Sequence, residues 1–473
     1  MLPETDAQRI ARLEQENSAL RRKLAELEAE IQRLKQLLED ALRASKRQAA
    51  PFSRQKPKAN PDPPGRKPGK AYGRRCRRPV PLQVDETIEV RLPQSCPHCQ
   101  GPLEETEVVS QYQEEIPAPR VERTEFRIHV GRCGQCGKRV QGRHERQSSA
   151  ALGSAAVSLG PRALALATEL NKDLGLPYGK TARVLQQAFG LRLSRGGICQ
   201  AVARVGRKTQ PSYQVLVERI RSEPSVTADE TGWKVGGQLH WAWVFVSRRM
   251  TVYSIEAGRG YAQAKRIMGE EFVGFLVRDG WNGYRGFTGA VHQSCLAHLL
   301  RRCREMIAVA GEAEARIRFP RHIQGLLQQA LHLRSRWEQE QISAHGLAVA
   351  RGRIAAQMDR ALARNQRSPE NQRLAKHLRR EREWLFPFLH YPGLEATNWR
   401  AEQALRPLVV TRKVWGGNRT QRGAYTQGVL ASILQTCRQQ MRSFSALVQD
   451  LVCSPQPQVI DLTAPMTSSL STR

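Results

Sequence analysis

Apolar residues recur at alternating spacings of three and four along the first forty positions of the chain, with charged residues between them. The series is Ile10, Leu13, Asn17, Leu20, Leu24, Leu27, Ile31, Leu34 and Leu38. This spacing predicts a coiled-coil segment over residues 1–44, and hence a homo-oligomer. Asn17 favours a parallel dimer, since two buried amides satisfy each other only when the helices are in register. One amphipathic helix packed on its own domain is the alternative.

Two segments of the chain carry no apolar period. Residues 45–82 are rich in Pro, Gly, Lys and Arg, which predicts an extended basic linker that either contacts phosphates or is a solvated tether. Residues 454–473 are predicted to form a disordered tail.

Residues 148–222 return to helical spacing. One helix ends at Gly190 and a second begins after Ser194, whose hydroxyl suits an N-cap, so the pair resembles a helix-turn-helix that binds double-stranded DNA. Plain packing of two scaffold helices is the alternative. The basic side chains proposed to contact DNA are Arg192, Arg195, Arg204, Arg207 and Lys208.

From residue 223 onward, short apolar runs alternate with helical patterns. The runs 238–247 and 251–255 predict two strands joined by a basic turn, and further strands are predicted at 272–277 and 290–293. This order indicates a mixed α/β sheet. Asp229 and Asp279 are each expected at a strand end, along one edge of that sheet.

Two close cysteine pairs divide residues 83–147. Cys96 and Cys99 lie in CPHC, and Cys133 and Cys136 lie in CGQC. Four thiolates at this spacing predict a zinc ribbon with a structural Zn²⁺, and the alternating residues at 107–109 and 124–130 predict a hairpin between the pairs. Buried free thiols are the alternative.

The composition indicates which class of partner the chain binds. The 473 residues include 75 Lys and Arg against 44 Asp and Glu, a formal net charge of +31, which is typical of a protein that binds a polyanion. Nucleic acid is the expected partner, and an acidic membrane surface is the competitor. No apolar run approaches the roughly 20 residues of a membrane span, and MLPETDAQRI does not read as a signal peptide, so we expect a cytoplasmic protein.

An ordered series of short motifs resembles the DDE transposases of the insertion sequence 66 group. The motifs are GRKPGK, the two cysteine pairs, DETGW, DGWNGY, CLAHLLRR, NWRAEQALRP and RKVWGGN. The resemblance implies a multidomain α+β chain whose ribonuclease-H-like core spans 223–453, with a helical insertion at about 304–390. It also implies an enzyme that cuts DNA at the ends of a bacterial mobile element and joins them to target DNA, near the nucleoid and commonly with small accessory proteins.

The resemblance places the catalytic acids at Asp229, Asp279 and Glu402. Carboxylates suit two Mg²⁺ or Mn²⁺ ions, which stabilise charge on the attacking and leaving oxygens of a phosphodiester. In this scheme Asp229 is a shared ligand, and Asp279 and Glu402 hold one ion each. Glu230 is expected to face the opposite side of the strand and to be a neighbour rather than a ligand.

The chain departs from the family pattern at Trp399 and at Gln403, the second of which replaces a common Arg. Arg400 and Arg406, on the same predicted helix, are candidates to compensate and to contact DNA. These departures keep open a catalytically inactive DNA-binding relative, and a nuclease without strand transfer is a further alternative.

Cys295 and His298 form a CxxH pattern after the second acid. Metal binding and ordinary packing at a helix start are both open, because only two ligands are evident there.

Overall fold

The computed structural model describes residues 6–45, 78–152, 157–310 and 313–464. Most of the predicted linker, residues 46–77, lies outside the described residues, as does the end of the tail, 465–473. The α-helices are α1 (Asp6–Ser45), α2 (Pro161–Thr168), α3 (Tyr178–Phe189), α4 (Arg195–Ile220), α5 (Tyr261–Met268), α6 (Leu296–Ala310), α7 (Glu314–Glu338), α8 (Ala344–Ala363), α9 (Pro369–Glu381), α10 (Trp399–Trp415), α11 (Gln421–Gln439) and α12 (Phe444–Cys453). The strands are β1 (Val130–Arg132), β2 (Arg139–Gln141), β3 (Ser225–Val235), β4 (Gln238–Val246), β5 (Thr251–Glu256), β6 (Phe275–Arg278) and β7 (Val291–Ser294).

Five strands form one mixed sheet in the order β5-β4-β3-β6-β7. Strands β3, β4 and β5 pair antiparallel as a meander, whereas β6 and β7 lie parallel to β3. The predicted mixed α/β sheet is therefore confirmed, as is the basic turn that joins the two strands β4 and β5.

Helices cover both faces of the sheet. On one face, Val226 and Phe245 pack with Val202 of α4 and Leu430 of α11. On the other, alternate strand residues such as Val244 pack against α10. Period-two alternation explains this, because successive side chains of a strand point to opposite faces. The first cluster also shows that the segment 148–222 shares one hydrophobic core with the sheet.

The two helices predicted around Gly190 are present. Gly190 ends α3 with a φ of 69°, a left-handed conformation that glycine adopts at little cost. Ser194 caps α4, since its Oγ accepts a hydrogen bond from Gly197 N at 3.0 Å. Most of α4 has a buried face in the core, as the scaffold interpretation expects.

Helices α6–α9 hold a hydrophobic core of their own between β7 and α10. We call this segment the helical insertion. Its buried residues include Leu326, Leu374 and Phe388, which pack around Val277 of β6. Helices run through most of the predicted 304–390, although α6 already begins at Leu296, and the insertion packs directly on the strand that leads to Asp279.

The first helix, α1, is a single helix of 40 residues, as its spacing predicts. Its apolar series is exposed, from 49% at Leu13 and Ile31 to 65% at Leu20. A seam of this kind needs a partner helix, and pairing between copies stays a prediction.

The predicted hairpin between the two cysteine pairs is wrong. No strand forms at 107–109 or 124–129, and β1 and β2 instead pair across the second cysteine pair. Val108 and Val109 are 78% and 75% exposed, so no buried face fixes a register there.

The tail is ordered from 454 to 464 rather than disordered. Leu462 is buried in the main core, Ile460 N donates to Ser212 Oγ at 2.9 Å, and Asp461 pairs with Arg219 at 2.6 Å. Isolated apolar anchors and one ion pair can hold a segment without any periodic pattern.

Candidate active site

Asp229 and Asp279 lie level with each other on neighbouring parallel strands. Thr227 of β3 pairs with Val277 of β6, and each aspartate follows its member of that pair by two residues. Asp279 comes directly after β6, as expected for a strand end. Asp229 lies inside β3, which corrects the expectation of a strand end, because β3 continues past its pairing with β6 as an antiparallel partner of β4.

The register also separates Asp229 from Glu230. Asp229 lies opposite Val244, whose side chain packs on the α10 face, and Glu230 lies opposite Trp243, whose side chain packs on the other face. Cross-strand partners share a face of the sheet. The predicted separation of the two acids is therefore confirmed.

Glu402 approaches the same face from the first turn of α10. Helix α10 packs on the sheet through Leu405 and Leu408. Asn398 lies just before the helix, and Glu402 N donates to Asn398 O at 3.0 Å. The face that carries Asp229 is thus the face on which the helix of Glu402 packs.

Hydrogen bonds from Arg412 link α10 to β3. Its Nη1 donates to Thr231 Oγ1 at 2.9 Å and also to the carbonyl oxygen of Gly232. Burial lowers the pKa of Arg412. This contact joins the helix of Glu402 to the strand of Asp229, two residues beyond that acid.

The WGGN motif makes a second junction at the end of α10. Gly417 has a φ of 125°, and a Cβ there would strike the carbonyl of Lys234, so the turn requires glycine. Asn418 N donates to Lys234 O at 2.8 Å, and its side-chain oxygen accepts from Trp233 Nε1 at 2.8 Å. The motif therefore docks α10 onto the β3–β4 hairpin.

The carboxylates influence one another. Burial raises the pKa of Asp229 to about 8, with the negative charges of Glu230, Asp279 and Glu402 acting in the same direction. A cation between these groups would relieve the repulsion between their charged forms. The side chains of Asp279 and Glu402 remain 20% and 31% exposed, so the site is open to solvent.

Both oxygens of Glu230 are already engaged by the protein. Oε1 pairs with Arg259 Nε at 2.5 Å, and Oε2 accepts a hydrogen bond from the Tyr284 hydroxyl. Arg259 also lies 4.0 Å from Asp279 Oδ2 and stacks on Trp281 at 3.9 Å from the ring centroid. Sequence reasoning missed Arg259, because nothing in its local pattern indicates two distant acidic partners.

Asp279 is held both at its side chain and at its backbone. Trp281 N donates to Asp279 Oδ1 at 2.8 Å, and Arg278 Nη1 donates to Asp279 O at 3.0 Å. Arg278 is fully buried and pairs with Glu381 of α9. A Cβ on Gly280 would collide with the ring of His377, so glycine at this position lets the helical insertion approach the site.

Cys295 and His298 lie beside Glu402. His298 Nε2 is 3.5 Å from Glu402 Oε1, and ligand atoms of all three residues lie within 4.8 Å of one another. A cavity of about 300 Å³ adjoins them, and its lining includes Asp279, Cys295, His298 and His377.

The two zinc-ribbon cysteine pairs form matching turns. Cys96 N donates to Gly101 O, and Cys133 N donates to Lys138 O in the equivalent position. Backbone N–H groups lower the pKa of Cys96 and of Cys133, which favours thiolates. The structure does not bring the two pairs together, since Cys295, His298 and Glu402 are the only three-ligand cluster among the described residues.

The proposed DNA-contacting side chains differ in exposure. Those on the surface are Arg192, Arg195, Arg207 and Arg406, whereas Arg204 and Lys208 are partly buried. Arg400 pairs with Glu395 at 2.7 Å and stacks on the exposed Trp399. Gln403 and Arg406 line a cavity of about 440 Å³ that α10 shares with Asp173 and Leu174.

Comparison with known proteins places the chain among the transposases. The family described as Transposase IS66 family matches residues 156–426, which contain the whole five-stranded sheet and all three acids, and the chain belongs to this family. The resemblance found in the motifs is thereby confirmed.

The chain is also similar to the uncharacterized protein y4qI of Sinorhizobium fredii (strain NBRC 101917 / NGR234), at 25% identity over 309 residues. That match covers 56% of this chain and 53% of the relative, about half the length of each. No helix within the described part of the chain is long and apolar enough to cross a membrane.

Proposed function

We propose that this chain is an active, metal-dependent DNA transposase that cuts at the ends of a mobile element and joins them to target DNA. Asp229, Asp279 and Glu402 are its catalytic acids. The observation that carries the proposal is the register of β3 and β6, which sets both aspartates level while α10 adds Glu402 on the Asp229 face.

The sheet topology supports a ribonuclease-H-like core. An antiparallel meander, β3–β4–β5, is followed by two parallel strands on the other side of β3, and helices cover both faces. In this arrangement the middle strand carries the first acid and its parallel neighbour leads to the second.

The donor set suits a hard divalent cation. Mg²⁺ and Mn²⁺ prefer carboxylate oxygens, and the three acids lie close enough for the charges of Asp279 and Glu402 to raise the pKa of Asp229. Glu402 Oε1 is buried and accepts no hydrogen bond from the residues described, although His298 Nε2 and Arg301 Nη2 lie 3.5 and 3.7 Å away. Two bound ions would stabilise negative charge on the attacking and leaving oxygens during cleavage and joining.

The chain's own residues prepare this site. Arg259 and Tyr284 hold Glu230 away from the cations, and Arg278 and Trp281 fix Asp279. The net charge of +31 attracts the DNA backbone over a long range, and the three proposed catalytic acids supply the negative charge that would hold the cations.

Separate segments would supply assembly and DNA recognition. The exposed seam of α1 suits pairing with a second copy, and the exposed arginines Arg192 and Arg195 flank the start of α4 where they can reach phosphates. The two cysteine turns offer thiolates of the kind that bind a structural Zn²⁺, once both pairs close on one ion.

An inactive DNA-binding relative is the second candidate, favoured by Gln403, which is exposed beside Arg406. The two candidates differ in one measurement. The full chain is incubated with Mg²⁺ and labelled duplexes that carry the element's terminal repeats, and nicking and joining are followed on denaturing gels.

Asp229→Asn, Asp279→Asn and Glu402→Gln should each reduce cleavage by at least about a hundredfold while binding to the repeats persists. Glu271→Gln, at an exposed acid, should retain activity. Equal cleavage by the three variants would remove the assignment, and binding of the repeats by wild type without any cleavage would favour the inactive relative.

A further inference from the structure

Cys295, His298 and Glu402 bring a thiol, an imidazole and a carboxylate to one point beside the proposed Mg²⁺ site. We propose that they form a separate transition-metal site, selective for Zn²⁺ over Mg²⁺, which shares Glu402 with the catalytic acids. Occupation by Zn²⁺ withdraws Glu402 from catalysis. This regulatory consequence rests on the proposed function, whereas the metal site itself does not.

The spacing of the ligand atoms fits a small tetrahedral ion. Metal–ligand distances of about 2.0–2.3 Å place neighbouring ligand atoms about 3.3–3.8 Å apart. His298 Nε2 and Glu402 Oε1 are 3.5 Å apart, and the Cys295 sulfur lies within 4.8 Å of the other two ligand atoms. A modest inward movement of one side chain completes the geometry.

The N-terminal ends of α6 and α10 are joined by hydrogen bonds at this cluster. Cys295 directly precedes α6, His298 lies in its first turn, and Glu402 lies in the first turn of α10. Leu296 N donates to Ala396 O at 3.0 Å, and Asn398 N donates to the Cys295 sulfur at 3.4 Å. The ligands are thus held by rigid elements, and a backbone N–H already points at the sulfur.

One carboxylate oxygen at the cluster is unsatisfied. Glu402 Oε1, 3.5 Å from His298 Nε2, is buried and lacks a hydrogen-bond partner within the described part of the chain. Such atoms are costly to bury unless something binds them. A cation at this point would satisfy the carboxylate oxygen of Glu402.

The chemical types of the three ligand atoms determine which metal ion the site prefers. Thiolate and imidazole select zinc-like ions, whereas Mg²⁺ takes oxygen ligands. Three protein ligands leave one position open, and the adjoining cavity of about 300 Å³, which Asp279 also lines, can hold water there.

One charge opposes the site. Arg301 Nη2 lies 3.7 Å from Glu402 Oε1, but its side chain is 52% exposed and can turn into solvent. The competing interpretation is that His298 and Arg301 are simply ion-pair partners of Glu402. Substitution of Arg301 distinguishes the metal site from a plain ion pair. If the site binds metal, removing this competing cation should strengthen metal binding at Glu402.

The test uses metal-free full-length chain that is titrated with Co²⁺, whose absorption reports thiolate coordination, and with Zn²⁺ for metal content. Cys295→Ser should lose one metal per chain relative to wild type, and Glu402→Gln should weaken that site by at least about tenfold. Cys303→Ser, at a buried cysteine of the same helix, should keep the wild-type metal content. Arg301→Gln should bind the ion more tightly.

Wild-type metal content and absorption in Cys295→Ser and Glu402→Gln would overturn the proposal and leave an ordinary ion pair. Circular dichroism identifies any variant that fails to fold. If Cys295→Ser does not fold, the metal affinity of Glu402→Gln decides between the two interpretations, because this side chain is partly exposed. In the cleavage assay, Zn²⁺ should inhibit wild type in the presence of Mg²⁺ and inhibit Cys295→Ser less. Metal binding without any cleavage would contradict the proposed function alone, and cleavage without this binding would contradict the zinc site alone.

Discussion

Arg278 and Glu381 form an ion pair in which both side chains are fully buried, and it joins β6 to α9 of the helical insertion. Ser294 Oγ also donates to Glu381 at 2.6 Å, and Arg285 binds the second carboxylate oxygen. Since Arg278 directly precedes Asp279 and donates to its carbonyl, the insertion fixes the backbone of that acid. The helical insertion therefore helps to position Asp279 in the proposed active site.

Loss of the Arg278–Glu381 ion pair should lower the stability of the fold. Glu381→Gln leaves the charge of Arg278 buried without a counter-charge, and the free energy of unfolding should fall by about 3–5 kcal/mol in a urea titration. Glu383→Gln, at an exposed acid two residues along the chain, should change it by less than about 0.5 kcal/mol. Equal effects of the two variants would show that the buried pair does not hold the insertion on β6.

Stability should depend on pH through His292. Burial lowers the pKa of His292 to about 4 from an ordinary value of 6.5, and the ring donates to Phe287 O while it accepts from Arg278. Between these two values the unfolded chain binds a proton that the folded chain does not, so this contribution is complete above about pH 6.5 and is lost as pH falls toward 4.

The unfolding free energy of wild type should therefore include a loss of about 2 kcal/mol from His292 between pH 7 and pH 5. His292→Gln removes the titrating ring, so its unfolding free energy should fall less over that interval. His345→Gln, at an exposed histidine, should follow wild type. Parallel pH curves for His292→Gln and wild type would exclude His292 as the source.

The apolar seam of α1 should hold two copies together. Leu20→Glu combined with Leu27→Glu places charge on the seam and should reduce the molar mass measured by light scattering to that of one chain. Arg22→Glu combined with Gln36→Glu adds acids away from the seam and should leave the mass unchanged. A single-chain mass for wild type would contradict the coiled coil.

The cysteine turns should bind one zinc ion per chain. Cys96→Ser removes a thiolate that backbone N–H groups stabilise, so metal analysis should show the loss of about one Zn²⁺ per chain. Cys199→Ser, at an exposed cysteine of α4, serves as the matched control and should lose none. Unchanged zinc in Cys96→Ser would remove the ribbon assignment.

Local patterns predicted much of the sheet, although Asp229 lies inside β3 and not at the predicted strand end. Alternation alone put Asp229 and Glu230 on opposite faces, and the register of β3 confirms it. Alternation failed at Val108, because no core lies under that segment to select a register.

Contacts between distant residues could not be predicted in this way. Glu381 is 103 residues from Arg278 and lies in a run of arginines that reads as a solvated helix face. Arg259 and its partners Glu230 and Asp279 likewise meet only once the chain is folded. The prediction of disorder at Leu462 failed for the same reason, since its anchor lies on α4 and the main core.

The most direct test of the central claim replaces the first acid by a ligand of different metal preference. In Asp229→Cys, a thiolate takes the place of a carboxylate, and thiolates bind Mg²⁺ poorly but bind softer ions. Cleavage of the terminal-repeat duplex is measured with Mg²⁺ and with Mn²⁺. Direct metal contact predicts that cleavage is lost with Mg²⁺ and restored at least in part with Mn²⁺, whereas Asp229→Asn stays inactive with both. Equal activity of Asp229→Cys with the two ions would contradict the role of Asp229 as a metal ligand.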